Sequence, residues 1–146
     1  MTQNGWCAKT DLSSAYRSVP IHPDCYQYMG IQWTFTGDKD PTYIVDTRFP
    51  FGDTECPEKF QKLSNAITRM MHRKGHVVVS YLDDYLCIGA TKEQCQAAYD
   101  DLNDLLQRLG FTINWKKACP PTQNITFLGI EIDCINRTLS VPQAKL

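Results

Sequence analysis

Three carboxylates stand where carboxylates are costly. Tyr81-Leu82-Asp83-Asp84-Tyr85 follows Val77-Val78-Val79-Ser80, so two adjacent acids interrupt an apolar, β-branched run. Burying like charges without a partner raises their pKa and lowers stability. Aspartate is also a good turn residue, and a plain turn is the competing reading of Asp83-Asp84. Asp11 ends a segment of its own, flanked by Thr10, Leu12 and Ser13, and taken alone it reads equally as a helix N-cap. Brought together, three carboxylates with no basic neighbour in sequence suit Mg²⁺, which prefers a few carboxylates plus phosphate oxygens. Two such ions about 3.5–4 Å apart would clamp the attacking and leaving oxygens of a phosphoryl transfer.

The elements that must position these acids can be read from periodicity. Trp6 to Leu12 reads as a strand and Ser13 to Val19 as a turn of helix closed by Pro20. Tyr26 to Trp33 and Tyr43 to Arg48 read as a hairpin around the turn cluster Thr36 to Pro41. Pro57 opens a helix on which Phe60, Leu63, Ile67, Met70 and Met71 recur, and Gly75 stops it. Val77 to Ile88 reads as a tight hairpin with the two aspartates at its tip. Thr91 and Gln94 form a capping box for a second helix, whose apolar stripe runs from Cys95 to Leu109 and ends at Gly110. Phe111 to Trp115 reads as a strand, and Ile125 to Ile132 with Arg137 to Val141 as a last hairpin. The core order is strand, helix, hairpin, helix, strand. It predicts an α+β fold, a split β-α-β antiparallel sheet with two helices on one face, plus a C-terminal β-hairpin. In that order the first strand neighbours the hairpin, so Asp11 meets Asp83-Asp84 at one edge of the sheet, on the face away from the helices. At least one of these acids should then have a raised pKa. Such a sheet hosts many functions, so function rests on the site.

Composition sets the frame. The chain has 146 residues, 42% hydrophobic and 21% charged, which predicts one domain able to bury a core unaided. No apolar run approaches the roughly 20 residues of a membrane span. Met1 to Lys9 lacks the pattern of a signal peptide, so the expected location is intracellular, cytoplasm or nucleus, and not secreted. Seven cysteines, an odd number with no C-x-x-C pair, read as free thiols. The net charge of -1 hides a pattern. Residues 59 to 82 carry Lys59, Lys62, Arg69, Arg73 and Lys74 without an acid, and residues 83 to 104 carry six acids against Lys92 alone. Basic flanks around an acidic centre would suit metal ions together with a polyanion, against the plainer reading of solvated helix faces.

These residues resemble a family. Lys9-Thr10-Asp11-Leu12-Ser13-Ser14-Ala15-Tyr16 resembles the first palm motif of reverse transcriptases. Phe49-Pro50-Phe51-Gly52 through Cys56-Pro57-Glu58-Lys59-Phe60 resembles their template-side motif, and Tyr81-Leu82-Asp83-Asp84 their Tyr-x-Asp-Asp box. Gly110-Phe111 to Lys116-Lys117 is similar to the fourth motif, and Phe127-Leu128-Gly129 to the primer grip. The five occur in order over about residues 7–133, and the wording around Asp11 and Phe127 is most similar to DIRS-like and LTR-type retroelements. The resemblance implies a polymerase palm over residues 1–146 that transfers deoxynucleotides from dNTPs to a primer 3′-hydroxyl on an RNA or DNA template. It implies two Mg²⁺ ions, with Mn²⁺ as a substitute, on Asp11, Asp83, Asp84 and the Leu12 carbonyl. Tyr16 would pack under the incoming sugar and exclude a 2′-hydroxyl. Phe51 and Gly52 would lie by the nascent base pair, Lys116 or Lys117 by the leaving pyrophosphate, and Phe127, Leu128 and Gly129 by the primer.

Phe51 stands where retroviral enzymes carry glutamine, Cys56 replaces a smaller residue, and Asp53 and Glu55 place acid in a loop that should face nucleic acid. Fingers, thumb, and an RNase H or recombinase region are expected as parts of a larger polyprotein, so the fragment is expected to be inactive alone. Two other classes compete: a non-catalytic nucleic-acid-binding module, for which Tyr81 and Tyr85 would be stacking residues, and a degenerate retroelement remnant.

Overall fold

The computed structural model describes residues 4–50, 52 and 54–142. Along the chain come β1 (Trp6–Ser13), α1 (Ala15–Ser18), a 3-10 turn (Pro23–Tyr28), β2 (Gly30–Trp33) and β3 (Thr42–Val45). They are followed by α2 (Cys56–Arg73), β4 (Val77–Tyr81), β5 (Asp84–Gly89) and α3 (Lys92–Arg108). The chain closes with β6 (Thr112–Ile113), β7 (Cys119–Thr122), β8 (Asn124–Phe127), β9 (Ile130–Asp133) and β10 (Thr138–Ser140).

The central sheet runs β4-β5-β1-β6 with every neighbour antiparallel, and β7 continues the β6 edge by pairing with the first half of β1. Successive strand residues point to opposite faces, and here both faces of β1 and β5 are covered, while Val77, Val79 and Tyr81 of β4 stay exposed. Ala8 and Leu12 of β1, Val78 of β4, and Tyr85 and Cys87 of β5 are buried in one cluster with Phe60, Ile67 and Met71 of α2 and Leu102 and Leu106 of α3. Cys7 and Leu86 turn the other way and pack on Ile125 and Ile132 of the sheet β10-β9-β8 and on Cys134 just after β9. Two-sided burial explains why β5 reads as an almost continuous apolar run. Within the helix-side layer, the buried Thr10 hydroxyl donates to Asn103 Oδ1 at 2.8 Å and fixes β1 against α3.

β4 is an edge strand, and its outward carbonyls need partners that no strand supplies. Along this edge α2 presents a polar row, Gln61, Thr68 and His72. The His72 ring donates to the Val78 carbonyl at 2.8 Å, Thr68 Oγ1 lies 3.0 Å from Ser80 Oγ, and Gln61 Nε2 lies 3.5 Å from the Ser80 carbonyl. The helix therefore presents a mixed face: Phe60, Ser64, Ile67 and Met71 are buried, while Met70, expected in the core, is exposed.

Several expected elements are corrected. The tip of the Val77–Ile88 hairpin is Leu82-Asp83, because Tyr81 pairs with Asp84, and Asp84 is already the first residue of β5. The strand expected over residues 26–33 begins only at Gly30, since Pro23 and the His22 cap set a 3-10 turn first. The segment 125–132 is itself a hairpin: Leu128 (φ 50°) and Gly129 (φ 79°) both take positive φ, the sign pattern of a type I′ turn, and the C-terminal unit becomes three-stranded. The strand expected over 111–115 shrinks to Thr112–Ile113, and β7 carries Pro120 and Pro121, which an edge strand tolerates and a prolines-break-strands reading passes over. Thr91 caps α3 by accepting from the Gln94 amide, whereas the Gln94 side chain accepts from Ala90 N–H rather than from the cap residue.

Candidate active site

Asp11 and Asp84 are directly opposed in the β1–β5 ladder, with Lys9 opposite Leu86 two residues away. All three belong to the set that points away from the helices, as strand alternation demands. Asp11 is 6% exposed and Asp84 half-buried. Burial pushes Asp84 up to about 6, helped by the charge of Asp83 and by a hydrogen bond with Asp11 and its charge, while Lys9 pulls the other way. Asp83 sits in the two-residue turn between β4 and β5. Its carbonyl accepts from Leu12 N–H at 3.1 Å, which stitches the turn to the end of β1 beside Asp11.

The β6–β7 connection joins the same edge. Asn114 N–H donates to the Asp11 carbonyl at 2.8 Å, and Lys117 N–H donates back to Asn114, so the turn swings Lys117 over the carboxylate. Lys117 Nζ stands 3.3 Å from Asp11 Oδ2. The sequence left Lys116 and Lys117 open; Lys117 is the one at the acids, and Lys116 is not among the residues lining either cleft there.

Two clefts meet at Asp11 and Lys117. One, about 280 Å³, runs from Leu12 to Tyr16 and is completed by Phe60, Asp83 and Asn114. Its aromatic wall is Tyr16, half-buried, set edge-on to Phe60 with ring centroids 5.2 Å apart. Burial and the nearby Asp83 charge raise the Tyr16 phenol. The other cleft, about 250 Å³, is lined by Lys9, Asp84, Thr126, Phe127, Leu128 and Gly129 besides the shared pair. Lys9 Nζ donates to the Thr126 carbonyl at 3.0 Å and ties the 127–129 hairpin to the strand of acids.

Of the residues singled out by sequence, Asp11, Leu12, Asp83, Tyr16 and Lys117 share the first cleft, and Asp84 and the 127–129 hairpin share the second. Gly52 takes φ +92° and is not among the residues lining either cleft. Phe51 and Asp53 lie outside the described residues. Lys9 and Asn114 were missed as site residues; the two-residue offset of Lys9 from Asp11 on a strand was a readable signal, whereas Asn114 arrives through a turn with none.

Among the described residues, no group of three or more His, Cys, Asp or Glu is assembled as a metal site. The donor chemistry nevertheless fits a hard divalent cation. Asp11 and Asp84 are facing oxygen donors, and Asp84 is held at a raised pKa by burial and by neighbouring negative charge that a cation would offset.

Comparison with known proteins agrees with this architecture. The family model described as reverse transcriptase (RNA-dependent DNA polymerase) matches residues 1–132. The chain is 29% identical over 138 residues to the Gag-Pol polyprotein of avian reticuloendotheliosis virus, covering 92% of this chain and 12% of that protein. It is 27% identical over 125 residues to Protein P of duck hepatitis B virus, covering 84% of this chain and 14% of that protein. A foamy viral protease-reverse transcriptase in complex with dsDNA superposes with a TM-score of 0.80 at 19% identity, over 99% of this chain and 28% of that one. The same kind of protein in complex with an RNA/DNA hybrid gives 0.81 at 19% identity, over 99% and 18%. The chain thus spans a small part of the length of the proteins it matches. With the family model covering nearly all of its residues, the chain belongs to the reverse transcriptase (RNA-dependent DNA polymerase) family, as a retroelement reverse transcriptase domain.

Proposed function

We propose that this chain is the palm of an RNA-directed DNA polymerase, its split β-α-β sheet carrying nucleotidyl transfer from a dNTP to a primer 3′-hydroxyl. The observation that carries the reading is the meeting of two clefts at one carboxylate–lysine pair, Asp11 and Lys117. A reaction between two substrates needs two binding surfaces that share the reacting groups.

In this reading the first cleft takes the nucleotide. The Tyr16 ring, backed by Phe60, fills the space a 2′-hydroxyl would need. Lys117 has an exposed ammonium that leaves Asp11 to meet triphosphate oxygens and stabilises charge on the departing pyrophosphate. The second cleft takes the primer end, with Leu128-Gly129 as its far wall and Lys9 available to a backbone phosphate. The primer 3′-hydroxyl loses its proton to solvent as its oxygen attacks the α-phosphorus, and the bond from that phosphorus to the pyrophosphate oxygen breaks. Asp84, opposite Asp11 in the ladder and lining the second cleft, is placed to sit by the 3′-hydroxyl. Asp11, Asp83 and Asp84 with the Leu12 carbonyl are the groups that would hold two Mg²⁺, or Mn²⁺ in their place. When bound, such ions supply Lewis-acid activation and neutralise developing phosphate charge. Template-primer and dNTPs are the implied partners, with fingers, thumb and RNase H or recombinase regions on a longer polyprotein.

Mn²⁺ titration followed by proton relaxation tests the reading on the chain itself. Binding to wild type that is lost in both Asp11→Asn and Asp83→Asn supports it. Binding unchanged in those variants, or equal extension of a primed RNA by wild-type and Asp83→Asn palms within a polymerase that carries its fingers and thumb, overturns it.

A further inference from the structure

One residue in the β4–β5 connection is held far more tightly than a surface turn requires. Leu82 is the first residue of the two-residue turn, with φ 51°, in the left-handed region where side chains other than glycine meet steric resistance. Both of its backbone polar groups are gripped by side chains of α2. Leu82 N–H donates to Gln61 Oε1 at 2.7 Å, and Ser64 Oγ donates to the Leu82 carbonyl at 2.6 Å. Ser64 is fully buried, a small polar residue set inside the apolar face between Phe60 and Ile67. The next residue is Asp83, whose carbonyl accepts from Leu12 N–H.

We propose that Ser64, with Gln61 one turn earlier on α2, is a positioning residue that clamps the Leu82 peptide and thereby sets where Asp83 stands beside Asp11. This rests on the polymerase reading for the importance of Asp83, but the clamp is a property of the free chain. The logic is geometric. A two-residue turn with a non-glycine residue at positive φ would relax if released, and relaxation would swing the following side chain. The strand ladder fixes Asp84 but cannot fix Asp83, which lies between β4 and β5. The α2 grip on one side and the Leu12 amide on the other restrain it. The polar row that covers the β4 edge thus ends in a grip on the turn, and any shift of α2 along its axis is passed to Asp83. A buried serine at this place has no packing advantage over alanine, so the hydroxyl is the reason for its presence.

Amide hydrogen exchange in the purified 146-residue chain, without metal or nucleic acid, tests the clamp. Ser64→Ala should speed exchange of the Leu82 and Leu12 amides about tenfold or more, with Val79 and Cys87 in the β4–β5 ladder changed less than about twofold. Gln61→Met, at a half-buried site where misfolding is not a concern, should give the same selective loosening. In a Leu82→Gly background, where the turn is unstrained, Ser64→Ala should add less than about twofold. Uniform loosening of turn and ladder, or no loosening at the turn in either variant, would overturn the proposal. Mn²⁺ broadening of the Asp83 resonance separates this from the polymerase reading. Its loss in Ser64→Ala while broadening at Asp11 persists supports the clamp, and its absence in wild type would sink the metal reading while leaving the exchange result to judge the clamp.

Discussion

Asp84→Asn should make the free chain more stable at neutral pH. Asp84 is moved from an ordinary 3.8 to about 6 in the folded state by burial and by Asp83 and Asp11. A folded pKa above the unfolded one means that the ionised form is disfavoured by folding. The cost is absent below about pH 4, where both states hold the proton, grows through the window from about 4 to 6, and is complete above it. A two-unit displacement corresponds to about 3 kcal/mol, and solvent reaching the half-buried carboxyl reduces this to about 1.5. Asparagine keeps the shape and one hydrogen bond to Asp11 and removes the charge. Urea unfolding at pH 7.5 should therefore show a midpoint higher by about 0.5–1 M than wild type, with unchanged slope. At pH 4.5 the gain should fall to about a third, because the wild-type carboxyl is then protonated in the folded state. Lower stability of the variant at pH 7.5, or the same difference at both pH values, would refute the argument that burial and like-charge crowding disfavour the Asp84 carboxylate. A gain would be the pattern of a residue kept for function at a cost in stability.

Other outcomes follow from neighbouring contacts. In a polymerase that carries this palm with its flanks, Tyr16→Val should admit ribonucleotides while Tyr16→Phe changes little; equal sugar discrimination by Tyr16→Val and wild type in single-nucleotide incorporation would move the gate elsewhere. In the same assay Lys117→Met should raise the dNTP KM about tenfold, and Lys116→Met should leave it within about twofold; the reverse order would contradict the ion pair at Asp11. Gly89→Ala should destabilise the chain by about 2 kcal/mol or more in thermal unfolding, because the new Cβ would meet Cys95 N at 2.5 Å and Cys95 Cα at 2.9 Å, backbone atoms of the first turn of α3. An unchanged Tm would show that β5 and α3 can separate there.

Sequence periodicity alone determined the main elements, because α2, α3 and the β4–β5 hairpin carry local signals: proline near a helix start, glycine after a helix end, and β-branched runs. The acids were also legible, since Asp11 and Asp83-Asp84 interrupt apolar segments and the element order makes β1 and β5 neighbours. Pairwise register lay beyond local signals. That Asp84 faces Asp11 while Asp83 occupies the tip depends on where the hairpin turns, and a one-residue slip would exchange their roles. The choice of Lys117 over Lys116 came from a hydrogen-bonded turn on Asn114 whose partner, the Asp11 carbonyl, is about a hundred residues away in the chain. β7 hid behind its prolines, and the 128–129 turn behind an apolar run that continues across it. Ser64 and Gln61 are not singled out by the sequence; the packing of α2 along an open strand edge reveals that their polar atoms are spent on the Leu82 peptide. Local patterns record what each segment prefers, and long-range contacts alone decide which backbone groups are left for side chains to satisfy.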